Sequence, residues 1–441
     1  MTTTQKPGAD AGASEATGDD LAAEEGRITD EDIERAKGQI GIPVHQRDEA
    51  WHKLPSADAI THFAFGCGDD NPLFYDPAYG PTTRWHGQIA SPTFPIATGL
   101  DQTPKFTDPE RKKLFRGLFR GTGKYYSGVK WTWYRPIYAG RPVLAENYTL
   151  DVQVKDSEFS GGRSVKETYR YLYVDIDGNP IATRDESYIN AERHGSKKSG
   201  KLKDIQRKHW TPEEFAQVEE EYEAERRRGA DPQWWEDISV GDELPGIIKG
   251  PLTVVDIISM HMGWGWGGYG VGPLKFAHQL RKRMPAFYQP DEYGVPDVVQ
   301  RLHWDAARAQ ALGIPAPYDY GQMRAAWVSH LITNWIGDDG WLAEMDLQLR
   351  GFNYHGDVHR CTGTVTAKGD GPDDLVSLDV FATSQRNETT TRGTAKVLLP
   401  SKTSGAVVLP IPDADLRRRG AQVVSRVFGK VGEEMRRLYG E

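Results

Sequence analysis

The 441 residues are enough for two or three domains with separate cores, and 38% hydrophobic with 27% charged residues suits a soluble globular chain rather than a disordered one. A formal charge of −9 argues against broad attraction to nucleic acid or an anionic membrane. Only Cys67 and Cys361 are present, in no metal-ligand spacing, and no run of about 18 apolar residues occurs; we expect a reducing, cytoplasmic setting and no transmembrane helix.

Residues 1–27 are rich in Thr, Ala, Gly, Asp and Glu and read as a disordered tail without the basic start and apolar centre of a signal peptide. A first domain is expected over 28–195. It opens with helical spacing from Thr29 and an amphipathic helix capped by Ser56. From Val129 to about Ile189 the pattern alternates, with turns at Gly161-Gly162 and Asp177-Gly178. A helical stretch followed by an antiparallel meander is an α+β signature.

Residues 196–235 read as a linker and a charged helix. The stretch 195–208 is basic and polar, and Thr211-Pro-Glu-Glu carries an N-cap, a first-turn proline and a capping-box Glu214. The order then repeats over 236–402. Thr253-Val-Val-Asp-Ile-Ile-Ser-Met matches the Ser56 helix, and strand patterns return at 346–353, 362–367, 375–381 and 393–399. About thirty extra residues, near 267–297, separate helix from strands, and 403–441 form a tail with a helix. Internal duplication is the organising feature.

Gly68-Asp69-Asp70-Asn71-Pro72-Leu73-Phe74-Tyr75-Asp76 resembles the hydratase motif of the MaoC-like, (R)-specific enoyl-CoA hydratases, G-D-x-N-P-L-H-x-D. The resemblance, over about 44–190 and 236–400, implies two tandem hot-dog domains forming a pseudo-dimer, each an antiparallel sheet wrapped around a central helix. Phe74 stands where the family has its catalytic histidine. In the second half Arg301-Leu302-His303-Trp304-Asp305 keeps the L-H-x-D portion without the preceding G-D-x-N-P. In the family a glycine opening the central helix polarises the thioester carbonyl. Eighteen residues after His303 stands Gly321; the same step from Phe74 reaches Pro92, which has no N–H. The first half is therefore expected to be degenerate and the second catalytic.

Hydration of an enoyl thioester needs a base for water, an acid for Cα and a donor for the enolate oxygen. The resemblance gives His303 the proton transfers and the Gly321 amide the donor role. The family's acid position is Val298 here, so Asp297, one residue earlier, is the candidate carboxylate. Asp305 is the family's second aspartate, and Asp69 reads as a relic or a loop brace. His303 has a packing histidine as its bland alternative.

Gly265-Trp-Gly-Gly-Tyr-Gly270 matches G-x-G-x-x-G but follows a helix, which argues for an aromatic loop over a dinucleotide site. His355 and His359 lie four apart at a strand edge, where no metal is expected. Arg281, Lys282 and Arg283 read as a solvated helix face or as a contact for cofactor phosphates. Trp264, Trp266, Trp304 and Trp327 read as core, with an acyl tunnel as the alternative.

The expected activity is interconversion of a trans-2-enoyl-CoA and a 3-hydroxyacyl-CoA, the substrate carried as its CoA thioester, with no redox cofactor or metal. A homodimer or a partner acyl-CoA enzyme is compatible with this. The rivals are a non-catalytic acyl-CoA-binding subunit and a hot-dog thioesterase, although Gly321-Gln-Met-Arg-Ala-Ala-Trp lacks the acid a thioesterase usually presents on this helix.

Overall fold

The structure, a computed structural model, describes residues 26–45, 50–101, 103–157, 162–192, 207–265, 271–312, 314–371 and 375–439. Most of the expected tail, most of the linker 195–208 and Trp266 to Gly270 lie outside the described residues.

Strand patterning produces four long strands in each half. In the first they are β2 (Gly123–Trp133), β3 (Leu144–Ser157), β4 (Gly162–Val174) and β5 (Pro180–Ala191). In the second they are β9 (Trp341–Leu349), β10 (His359–Ala367), β11 (Val376–Ser384) and β12 (Thr389–Leu398). Two short strands, β1 (Leu100–Asp101) and β6 (Ile247–Lys249), close the edges of one ten-stranded sheet ordered β1-β3-β4-β5-β2-β9-β12-β11-β10-β6. The halves meet along β2 and β9, antiparallel, from Gly128 opposite Gln348 to Thr132 opposite Glu344. On β11 the burial alternates strictly, as expected where one face packs on the core.

Two helices record the duplication. Helix α1 (Asp30–Lys37) precedes them, with Thr29 accepting from the Asp32 amide. In α2 (Ala57–Cys67) the Ser56 hydroxyl accepts from the Ala59 amide, and Gly68 ends the helix in the left-handed region. After the short α3 (Pro72–Tyr75), α4 (Pro109–Phe115) and α5 (Pro212–Ala224), α6 (Val254–Trp264) repeats the α2 pattern, with Thr253 and Asp256 as a capping box and Gly265 at φ 92°. Helices α2 and α6 cross closely. A Cβ on Gly66 would stand 2.5 Å from the Ser259 carbonyl oxygen, and one on Gly263 2.7 Å from that of His62, so glycine at the same step of each helix permits the contact.

The extra residues form α7 (Leu274–Arg283) and a hairpin of β7 (Tyr288–Pro290) with β8 (Pro296–Val298), followed by a 3₁₀ turn Val299–His303 and α8 (Ala306–Ala311). The central helix of the second half is α9 (Gly321–Ile336), buried continuously from Met323 to Ile336. At its start the Arg324 guanidinium holds both Asp319 oxygens at 2.7 and 2.8 Å and donates to the Gly351 and Thr390 carbonyls; Asn353 adds a bond to Asp319. This buried pair ties the helix N-terminus to the strand ends.

The first half departs from the expected plan. In place of a long central helix after Pro92 it has one 3₁₀ turn, Phe94–Ala97. Pro95 follows so closely that neither proline supplies a helical N–H, and the ring of the second opposes continuation. Helix α10 (Ala414–Tyr439) crosses the outside of this half, packing Leu416 and Val423 against Leu144, Leu172 and Val174.

Candidate active site

The segment carrying His303 is held by Arg301. Its guanidinium donates to the carbonyls of Gln289, Pro290 and Asp297 and to the Asp305 carboxylate, at 3.0–3.1 Å. The inserted hairpin thereby fixes the 3₁₀ turn that presents His303. The imidazole is buried and stands over Tyr320, ring centroids 3.9 Å apart, with Tyr318 at 4.6 Å. Its Nδ1 is 2.8 Å from the Tyr318 carbonyl oxygen. A carbonyl only accepts, so Nδ1 carries the hydrogen and Nε2 keeps its lone pair. Nε2 has no hydrogen-bond partner among the described residues. Burial pushes the His303 pKa down to about 3, opposed by the Tyr318 carbonyl and reinforced by His261.

Gly321 is the first residue of α9, directly after Tyr320, and no side chain among the described residues caps this terminus. First-turn amides have no intrahelical acceptor, and the helix dipole adds partial positive charge there. A Cβ on Gly321 would lie 2.4 Å from the Tyr126 ring and 3.0 Å from Leu349. Tyr126 belongs to β2, so the first half supplies a wall beside this terminus.

The candidate carboxylates have other partners. Asp297 accepts from the Val298 amide, and Asp305 caps α8 through the Arg308 amide while pairing with Arg301. Neither shows a bond to His303. Sequence reasoning missed His261 and Tyr320, whose Nε2 and hydroxyl oxygen are 2.7 Å apart; burial lowers the His261 pKa to about 4. Trp264 and Trp304 pack against His261. A histidine ending a repeated helix gave no local sign that it would meet Tyr320, 59 residues on.

His355 bonds the His303 carbonyl, whereas His359 lies buried against Trp327, a core residue. Arg281, Lys282 and Arg283 form the last turn of α7, with Arg281 over the Tyr288 ring at 5.8 Å, on the hairpin that holds Arg301. The G-x-G-x-x-G match begins at the C-cap of α6, as the helix-first reading expects.

In the first half the motif builds a loop. Asp69 accepts from the Asn71 amide, Asn71 from that of Leu73, and Phe74 is buried in the core. A second-half histidine also reaches this loop: His330 of α9 has Nε2 3.5 Å from Asp69 and 3.4 Å from Asp70. Lys249 bridges the His330 Nδ1 at 2.8 Å and the Gly68 carbonyl at 2.6 Å. The His330 contact holds the Asp70 carboxyl down at about 2. Both Lys249 and His330 come from the second half, so this cluster latches the halves together.

The architecture defines a fused double hot-dog fold. The chain is similar to a solved "MaoC-like dehydratase" with a TM-score of 0.55 at 15% identity, over 82% of this chain and 99% of that one. Residues 44–184 match the family model "FAS1-like, dehydratase domain region". A curated "UPF0336 protein" of Thermobifida fusca (strain YX) is 31% identical over 96 residues, which are 21% of this chain and 59% of that relative. The match thus spans under two thirds of the relative's length.

Proposed function

We propose that the chain is a hydro-lyase interconverting a trans-2-enoyl-CoA and a 3-hydroxyacyl-CoA. The observation that carries the reading is the pairing of His303, its Nε2 lone pair unengaged, with the uncapped helix terminus at Gly321. The thioester carbonyl lies on the Gly321 amide, which stabilises the enolate oxygen. His303 Nε2 takes a proton from water as the hydroxyl adds to Cβ; the imidazolium then returns that proton to Cα. Dehydration is the reverse. A single imidazole serves both transfers, consistent with Asp297 and Asp305 being engaged elsewhere. We assign Arg281, Lys282 and Arg283 to the phosphates of the CoA carrier.

The lack of a carboxylate bond to His303 favours one second reading, a non-catalytic acyl-CoA-binding subunit. Hydration of crotonyl-CoA by the purified single chain separates the two. Turnover that follows protein concentration supports the hydro-lyase; saturable binding of crotonyl-CoA without turnover supports the binding subunit.

A further inference from the structure

The β2–β9 seam has two ends, and the structure puts related features at both. At one, Tyr126 and Leu349 close on Gly321. At the other, Trp133 from the end of β2 and Trp341 and Leu342 from the start of β9 line a cavity together with Phe74 and Pro92. Phe74 and Pro92 occupy the positions that His303 and Gly321 hold in the second half, so the cavity is the first half's counterpart of the His303 site. Thr333 and Ile336, near the far end of α9, also line it. At 1.5 Å per residue that places it about 20 Å from Gly321, a separate site.

Its walls are mostly apolar. The indole N–H groups of Trp85, Trp133 and Trp341 all donate to protein carbonyls, those of Asp338, Pro92 and Trp133, at 2.7–3.1 Å. Only their ring surfaces are left for an occupant, and such walls hold water poorly. The Asn71 Oδ1 and the Thr333 hydroxyl are likewise engaged, with the Leu73 amide and the His330 carbonyl. The space unoccupied by protein is about 590 Å³, part of it open to solvent. Arg135 is exposed on the lining, and no carboxylate among the described residues pairs with it.

We propose that this cavity binds the apolar tail of a monocarboxylate, with the carboxylate on Arg135, and leaves it chemically unchanged. An apolar chamber with one unpaired cation matches that amphiphile. Phe74 and Pro92 offer neither a base nor an N–H donor, so the bound molecule does not react. The proposal stands apart from the hydro-lyase reading and uses no turnover assay.

The test is calorimetric titration of the full chain with hexanoate, with tryptophan fluorescence followed in parallel. One saturable site is expected. Arg135→Gln should weaken it about three- to fivefold, the scale of a partly exposed charge pair. Hexanol should bind with the weaker affinity and be insensitive to that substitution. Ala90→Leu, which fills the lining, should abolish binding, and His303→Ala should leave it unchanged. If Ala90→Leu does not fold, the Arg135 and hexanol arms still decide. Absence of saturable hexanoate binding, equal affinity in Arg135→Gln, or loss of binding in His303→Ala would each overturn the proposal.

Discussion

The two ends of the β2–β9 seam carry positions that correspond in the repeated pattern, and they differ in the groups they present. At the Gly321 end, a buried imidazole with a fixed tautomer stands beside a helix terminus that only glycine permits, because Tyr126 approaches too closely for a Cβ. At the other end Phe74 fills core space, Pro92 has no amide hydrogen, and a 3₁₀ turn replaces the helix. The first half contributes Tyr126 as a wall beside Gly321, and its motif loop is held by Lys249 and His330 of the second half.

The largest effect on the Gly321 end should come from Gly321→Ala. The methyl group would meet the Tyr126 ring at 2.4 Å, and relief requires the terminus to move. Displacement by about 1 Å costs about a hundredfold in turnover. Tyr126→Ala in the same chain should restore part of the loss; if it restores none, the close approach is not what demands glycine.

Next in size is the buried pair that anchors α9. Asp319→Ala leaves the Arg324 guanidinium without its carboxylate and should lower unfolding free energy by about 3–5 kcal/mol in urea titrations. The comparable pair on the surface, Lys37 with Glu34, should be worth at most about 1 kcal/mol. Equal losses for the two would show that burial does not set the energetics here.

Acid should act on activity more weakly than on an ordinary histidine enzyme. His303 has its pKa lowered to about 3, so its base form persists well below the ordinary value near 6.5. Turnover should therefore be nearly unchanged between pH 7 and 5.5; an acid limb centred near 6.5 would show an imidazole open to water. Stability follows a related sign. His359 is buried with neither ring nitrogen bonded among the described residues, and burial lowers its pKa to about 3. It stays neutral when folded and protonates when unfolded. Its contribution is complete above about pH 6.5 and erodes as pH falls towards 3. His359→Leu should flatten the dependence of the urea midpoint over that range, the smallest effect of this set; an unaltered slope would remove His359 from the cause.

Much of this contrast was legible in the chain. The caps at Ser56, Thr211 and Thr253 are local hydrogen bonds between residues two or three apart, which sequence pattern encodes directly. Strand alternation gave both meanders, and the motif spacing put Gly321 at a helix start. The central helix expected of the first half was not found, because two prolines outweigh the repeat. Contacts spanning long separations left no pattern to read. Nothing near Asp69 announces His330, and nothing near Arg301 shows that the inserted hairpin turns its carbonyls towards it. The insertion read as extra residues between helix and strands; in the structure it is the clamp on the His303 segment.

The asymmetry of the two halves is tested most directly by measuring crotonyl-CoA hydration for His303→Ala and Asp69→Asn side by side, with circular dichroism to exclude unfolding. Removing the His303 imidazole should lower turnover by about two to four orders of magnitude, the range of a general acid–base group. Asp69→Asn should leave it within about severalfold, since that carboxylate sits in a half without base or donor. Abolition of turnover by Asp69→Asn, with His303→Ala still active, would place the chemistry in the first half and contradict the account.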